Sequence, residues 1–229
     1  RVFLVTGANT GLGFETARAL AKKNAFVILA GRDQHKIYQA MLNIRAEKPE
    51  ARLEAGLVDL SDLSSVQAFA ESILAKHQRL DVLVNNAGVM FPPPGKTKDG
   101  FELQFGVNFI AHFALTARLL PLLKKTPGSR VVTLSSIAHK NGKIDFDNLK
   151  LEKPYNKFRE YGQSKVADLL FALELQRRLE KNGLDIISVA AHPGATHSGV
   201  MRDSGRVLSW LFTTPSLHRV RSTFIMEAP

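Results

Sequence analysis

Short, nearly continuous runs of Val, Ile and Leu recur along the chain at Val2 to Val5, Phe26 to Leu29, Leu53 to Val58, Val82 to Val84, Arg130 to Leu134 and Leu184 to Val189. Runs of that length without polar alternation predict strands buried on both faces. Between them, apolar residues return at helical spacing over Gly13 to Lys23, Gln34 to Ala46, Leu63 to His77, Gly100 to Leu123 and Tyr155 to Lys181. Strand and helix alternating in this way predict an α/β fold: a doubly wound parallel sheet with right-handed crossovers and helices on both faces. Pro92, Pro93 and Pro94 mark a loop rather than a domain boundary, because the alternation resumes directly after them. The expectation is one domain over residues 1–229, with no internal repeat.

Composition narrows the class. With 229 residues, 45% hydrophobic and 23% charged, the chain has the mix of a globular domain rather than a disordered one. It has no cysteine, which excludes disulfides and thiolate metal sites and fits a cytoplasmic setting. The strand pattern opens at Val2, so no signal peptide or anchor is read within these residues. Phe101 to Leu123 is the most apolar stretch, but Glu102, Gln104, Asn108, His112 and Arg118 interrupt it, which predicts a buried helix rather than a membrane span. Net charge is +10. The basic residues are scattered without an aromatic-interleaved stripe, so nucleic acid is not expected as a partner. His112 and His139 have no partners at metal-ligand spacing, and no metal site is expected.

Candidate chemistry begins with TGANTGLG, Thr6 to Gly13, between the first strand and the first helical segment. Gly7, Gly11 and Gly13 let the backbone turn tightly and approach a pyrophosphate at a helix N-terminus, and Asn9, Thr10 and Leu12 belong to the same candidate cofactor turn. Three glycines after a strand also fit a plain tight connection. Farther on, Tyr161 and Lys165 stand four apart in a helical segment and share one face. A lysine ammonium near a phenol favours phenolate, which makes Tyr161 a usable proton donor and acceptor. Ser136 ends a parallel strand, where open α/β sheets place ligands, and Ser135 competes for its role.

The TGxxxGxG spacing at Thr6 to Gly13, NNAG at Asn85 to Gly88, the serine pair at Ser135 and Ser136, and YGQSK at Tyr161 to Lys165 appear in an order that resembles the short-chain dehydrogenase/reductase family. The resemblance implies a Rossmann-type oxidoreductase that moves hydride between a nicotinamide and a small-molecule alcohol or carbonyl. It implies Asn108, Ser136, Tyr161 and Lys165 as the catalytic set, with Ser136 rather than Ser135 acting. Asn108 would hold a water in a proton relay toward Lys165, or alternatively would satisfy helix backbone. Asn86, Ala87 and Gly88 would wall the cofactor, and Lys165 would hold its ribose. In HPGAT, Pro193 and Gly194 would shape the loop under the nicotinamide and Thr196 would bond the carboxamide or the pyrophosphate, while His192 reads as structural. Pairing into dimers or tetramers through Gly100 to Leu123 and Tyr155 to Lys181 is also implied. A sensor or scaffold that binds cofactor without turnover is the alternative.

The second strand runs FVILAGRD, with Gly31 where NAD-preferring folds place an acid and Arg32 next to it. Arg32 can clamp a 2′-phosphate, so NADP(H) is expected over NAD(H), though a two-residue slip would put Asp33 there instead. Asp59 and Leu60 follow the third strand; by resemblance Asp59 bonds the adenine amino group, and its alternative is to cap the helix near Asp62. Ser136 and Tyr161 are 25 residues apart, and the added sequence over 139–160 resembles the insertion of retinol dehydrogenases and protochlorophyllide reductases. That implies a bulky apolar substrate such as a retinoid, steroid or long-chain carbonyl. Residues 198–212 read as a substrate lid or as ordinary packing.

Overall fold

The computed structural model describes residues 1–193. The candidate cofactor residues Gly194 and Thr196 and the expected lid over 198–212 lie outside the described residues. Strands β1 (Val2–Thr6), β2 (Phe26–Gly31), β3 (Arg52–Leu57), β4 (Val82–Asn85), β5 (Ser129–Leu134) and β6 (Ile186–Ala191) form one parallel sheet in the order β3-β2-β1-β4-β5-β6. The order reverses at β1, which pairs with β2 through Val2↔Phe26 and with β4 through Phe3↔Val82. In doubly wound sheets a crevice opens at that reversal, at the carboxyl ends of the strands.

Alternate residues of each strand feed two separate cores. Leu4 and Ile28 face Val66, Phe69 and Ile73 of helix α3 (Leu63–Lys76) and Leu115 and Leu119 of helix α5 (Ala111–Lys124). Val5, Val27 and Leu29 face Ala17 and Ala21 of helix α1 (Gly11–Lys22) and Ile37, Met41 and Ile44 of helix α2 (Gln34–Glu47). Burial on both faces is why the strands read as continuous apolar runs. Truncating one of the fully buried leucines to alanine would cost about 2–5 kcal/mol.

Helix ends follow side-chain caps. Asp33 caps α2 by accepting from Lys36 N–H, and Asp62 caps α3 by accepting from Ser64 and Ser65 N–H. The helix α6 (Lys157–Lys181) starts two residues later than the apolar pattern predicts, because Asn156 accepts from Phe158 and Arg159 N–H and fixes the first turn there. The predicted helix over Gly100 to Leu123 also begins late. Gly100 adopts φ 85, and Glu102 caps α4 (Leu103–Phe105) through Gln104 and Phe105 N–H. A π-helical stretch, Gly106–Ile110, then joins α4 to α5. Together Leu103–Lys124 is long and apolar enough to cross a membrane by length and composition, and 56% of its most apolar window is buried inside the protein.

The added sequence after β5 contains two short 3-10 turns, Ile137–Asn141 and Phe146–Asn148, and lies against α6. Asn148 donates to the buried Glu160 carboxylate at 3.1 Å, and Gln163 accepts from Asp145 N–H at 2.8 Å. Gly142 approaches so closely that a Cβ there would run into the Gly162 carbonyl.

Candidate active site

The glycine turn leaves β1 at Thr6. Gly7 has φ 64 and Gly11 has φ 56, conformations that a side chain would strain. A Cβ on Gly13 would collide with the Gly7 carbonyl and the Asn86 amide, so turn, helix and NNAG segment meet with no spare volume. Thr10 begins α1 without a side-chain cap bond, which leaves first-turn N–H groups of α1 for an anion such as a pyrophosphate. Leu12 is half-buried in that first turn. Asn9 reaches the end of β2, where its Oδ1 would stand 3.3 Å from a Cβ on Gly31.

Gly31 is the last residue of β2, paired with Leu57, and Arg32 is exposed just beyond it. Asp33 is committed elsewhere. Its carboxylate accepts from Lys36 N–H at 3.1 Å and pairs with Lys36 Nζ at 3.0 Å, and these hydrogen bonds hold its pKa below the usual value. Asp59 does not cap α3, a role that Asp62 fills; its Oδ1 instead accepts from Ser61 N–H at 2.9 Å and Ser61 O–H at 2.7 Å. Leu60 beside it is buried.

NNAG is tied to β1 by Thr6, the first residue of the TGxxxGxG turn, through bonds that the motif's spacing does not show. Thr6 Oγ1 accepts from Asn86 N–H at 2.9 Å and Ala87 N–H at 3.0 Å, while Asn86 Nδ2 donates to the Thr6 carbonyl at 2.6 Å. On the far side of Thr6 lies the ring of His112, 2% exposed, with Nε2 at 2.9 Å from Oγ1 and Nδ1 at 2.7 Å from the Asn108 carbonyl. A carbonyl only accepts, so Nδ1 carries the hydrogen and Nε2 accepts from the threonine hydroxyl. Burial lowers the His112 pKa to about 4 and keeps the ring neutral. Thr6 and His112 therefore link the glycine turn, NNAG and Asn108, and their separation by 106 residues explains why no local signal reveals the contact between them.

Asn108 sits within the π-helical stretch, 1% exposed. Its Oδ1 accepts from Val89 N–H at 2.8 Å, and its Nδ2 donates to the Val89 carbonyl at 3.0 Å and to Ser164 Oγ at 2.9 Å. Gly88 keeps the neighbouring space open: a Cβ there would lie 3.2 Å from Asn108 Oδ1 and 4.0 Å from Lys165 Nζ.

Lys165 donates to the Leu134 carbonyl at 2.9 Å and to Asp168 Oδ2 at 2.8 Å. An ammonium has three N–H donors, so among the described residues one remains for a ligand. Burial alone would lower the Lys165 pKa, but the Asp168 carboxylate and Tyr161 outweigh it and hold the group above the ordinary lysine value. Burial pushes the Asp168 carboxyl up to about 6 against the pull of Lys165. Tyr161, 9% exposed, lies with its ring 5.9 Å from Lys165 Nζ.

The two serines at the end of β5 differ in their bonds. Ser135 donates to the Lys165 carbonyl at 2.7 Å, fastening the strand to α6. Ser136 Oγ accepts from Ala138 N–H at 3.3 Å, so its own hydrogen remains for another acceptor. His139 Nδ1 bonds the Ser136 carbonyl at 2.6 Å, and its ring lies 6.2 Å from that of His192. Pro193 follows His192 at the end of the described residues. Among the described residues no cluster of His, Asp and Glu could hold a metal ion.

Sheet order, glycine turn, NNAG and the Tyr161–Lys165 face thus occur together, and residues 1–206 match the family model for short chain dehydrogenase. The chain belongs to the short-chain dehydrogenase family. Mouse (Mus musculus) retinol dehydrogenase 12 is 47% identical over 216 residues, 94% of this chain and 68% of that protein. Mouse polyprenol dehydrogenase is 43% identical over 227 residues, 94% of this chain and 68% of that protein. Among solved structures, an uncharacterized protein from Mycobacterium paratuberculosis aligns with a TM-score of 0.77 and 45% identity, covering 89% of this chain and 72% of that one. A short-chain dehydrogenase from Shigella flexneri 2a, solved with NADP, aligns with a TM-score of 0.73 and 26% identity, covering 94% and 84%. This short-chain dehydrogenase is an oxidoreductase of the retinol dehydrogenase-like group, and its family uses a nicotinamide cofactor.

Proposed function

We propose that the protein transfers hydride between NADP(H) and an apolar alcohol or carbonyl, with Tyr161 as the proton donor and acceptor. The observation that supports this reading is the position of Lys165: buried and charged, it lies 5.9 Å from the Tyr161 ring and donates to the Leu134 carbonyl at the end of β5, two residues before Ser136, while Asn108 bonds the neighbouring Ser164. The bound nicotinamide supplies or accepts the hydride. In the reducing direction the carbonyl oxygen gains negative charge as the hydride arrives, and the Tyr161 hydroxyl gives it a proton. Ser136 donates its remaining hydrogen to the same oxygen. Lys165 would offer its remaining N–H to the cofactor ribose, and Asn108 would hold a water that relays a replacement proton toward Lys165 and the tyrosine.

The residues present fit the cofactor. Gly7 and Gly13 admit no side chain, the start of α1 has unused amides, and Arg32 is exposed at the end of β2 while Asp33 is held in its helix cap. These features support NADP(H) over NAD(H). The apolar substrate class rests on the added sequence against α6 and on relatives named for retinol and polyprenol, both apolar alcohols. Association through α5 and α6 belongs to the same reading: Phe113 and Leu170 are each 50% exposed on those helices, and sedimentation would show the dimer.

The test is NADPH consumption with a panel of apolar aldehydes, repeated with Tyr161→Phe. Turnover in the wild type that collapses in the folded variant supports the assignment. Wild-type rates in the variant would remove Tyr161 from the reaction.

A further inference from the structure

Phe91, on the loop after β4, has a left-handed backbone with φ 58. A bulky residue in that region stores strain and persists only where its surroundings hold it. Here the hold is specific. Phe91 N–H donates to Gln104 Oε1 at 2.9 Å, and the fully buried Gln104 donates from Nε2 to the Tyr155 hydroxyl at 3.2 Å and the Lys157 carbonyl at 3.1 Å. The Tyr155 hydroxyl in turn donates to the Pro92 carbonyl at 2.6 Å. The loop is fastened from α4 on one side and from the start of α6 on the other.

What the strained backbone fixes is a ring. Phe91 stands edge-to-face against Tyr161, with centroids 5.5 Å apart, and against Phe158, with centroids 4.6 Å apart. Phe158 is 55% exposed, so burial in the core does not account for it. Lys157 Nζ lies 5.7 Å from the Phe91 ring and 5.4 Å from the Phe158 ring, a cation capping the pair.

We propose that Phe91 and Phe158 form an aromatic wall beside Tyr161 against which the carbon chain next to the reacting oxygen lies, selecting planar unsaturated substrates over flexible saturated ones. This rests on Tyr161 being the proton donor, and the Tyr161 ring lies 5.5 Å from that of Phe91, centroid to centroid. A conjugated chain is already flat and stacks on a fixed ring with little loss of internal freedom. A saturated chain must freeze its rotors to do the same.

The test compares matched probes within each enzyme, so that general damage cancels in the ratio. Cinnamaldehyde and hydrocinnamaldehyde measure turnover with NADPH; cinnamamide and hydrocinnamamide, which are not reduced, measure calorimetric binding in the presence of NADP⁺. Phe91→Gly takes the left-handed backbone without strain and keeps the N–H bond to Gln104, while Phe158→Leu leaves the loop untouched and stays apolar. The wild type favours the unsaturated member of each pair, and each variant lowers both ratios by about three- to tenfold, the size expected for one aromatic contact. Binding ratios unchanged in folded variants overturn the wall, whatever the turnover. Absent NADPH consumption with an intact, Phe91-dependent binding ratio instead strikes the proposed NADPH-dependent reduction and leaves the wall standing as a binding surface.

Discussion

Lys165 and Asp168 face each other one turn apart on α6, Nζ to Oδ2 at 2.8 Å, with side chains only 7% and 1% exposed. The pair lies directly behind the residues proposed to act on substrate, and it makes that region sensitive to acid in a way that depends on a second buried group.

The first prediction concerns stability against pH. The Asp168 carboxyl is raised by burial to about 6, so the folded state holds its proton more tightly than the unfolded state. Its contribution is fully present below about 4, the ordinary aspartate value, and is lost as pH rises toward 6. His112 does the opposite: lowered by burial to about 4, its contribution is present above about 6.5 and lost as pH falls. Each shift is worth on the order of 3 kcal/mol, so the two largely offset each other between pH 4 and 6. Asp168→Asn removes one side of that balance. Its thermal midpoint should fall more steeply than the wild type's as pH drops from 6.5 to 4, and parallel curves would contradict the assignment.

A second prediction separates two adjacent glycines. Gly142→Ala puts a methyl into the Gly162 carbonyl and should cost about 1–3 kcal/mol, with reduced activity because the turn carrying Ser136 must move. Gly162→Ala meets its nearest atoms at 3.4 Å, an ordinary contact, and gains helix propensity of about 0.5–1 kcal/mol. Denaturant titration of both should show opposite signs, even though Gly162 directly follows Tyr161.

The cofactor preference gives a third. Arg32→Ala should reduce discrimination between NADPH and NADH by about tenfold or more, since a charge-assisted contact to phosphate is worth roughly 1.5–3 kcal/mol. Asp33→Asn, by contrast, should act on α2 stability and not on cofactor choice, because Asp33 bonds Lys36 rather than facing the strand end. Fluorescence titration with both cofactors distinguishes the two, and equal dissociation constants in the wild type would refute the Arg32 role.

Fourth, Tyr161→Phe should lower kcat by roughly 10² to 10⁴ while NADPH affinity changes little, because proton transfer is lost and cofactor contacts are not. Single-turnover rates measured beside equilibrium binding make the split visible.

The six strands and the helix order are legible in the sequence because burial on both faces leaves runs such as Val82 to Val84 unbroken by polar residues. The helix starts are less so: Asn156 and Glu102 set them through caps that compete with the apolar pattern. Within the site, the glycines and the Tyr161–Lys165 pair are visible as local spacing. His112, Asp168, Phe91 and the partners of Thr6 are not, since each contact comes from a distant element, from packing, or from a backbone angle that no motif records.

Asn108 stands in a π-helical stretch, and such a stretch is one residue more than a regular helix needs. Each α-helical residue advances the side chains by about 100°, so the extra one puts the two halves of Leu103–Lys124 out of phase. The upstream half aims Gln104 and Asn108 at the cleft, while the downstream half aims Leu115, Leu119 and Leu123 at the sheet. Deleting Phe109 or Ile110 would therefore remove the slip and turn the amide of Asn108 about a quarter turn relative to α5, away from Val89.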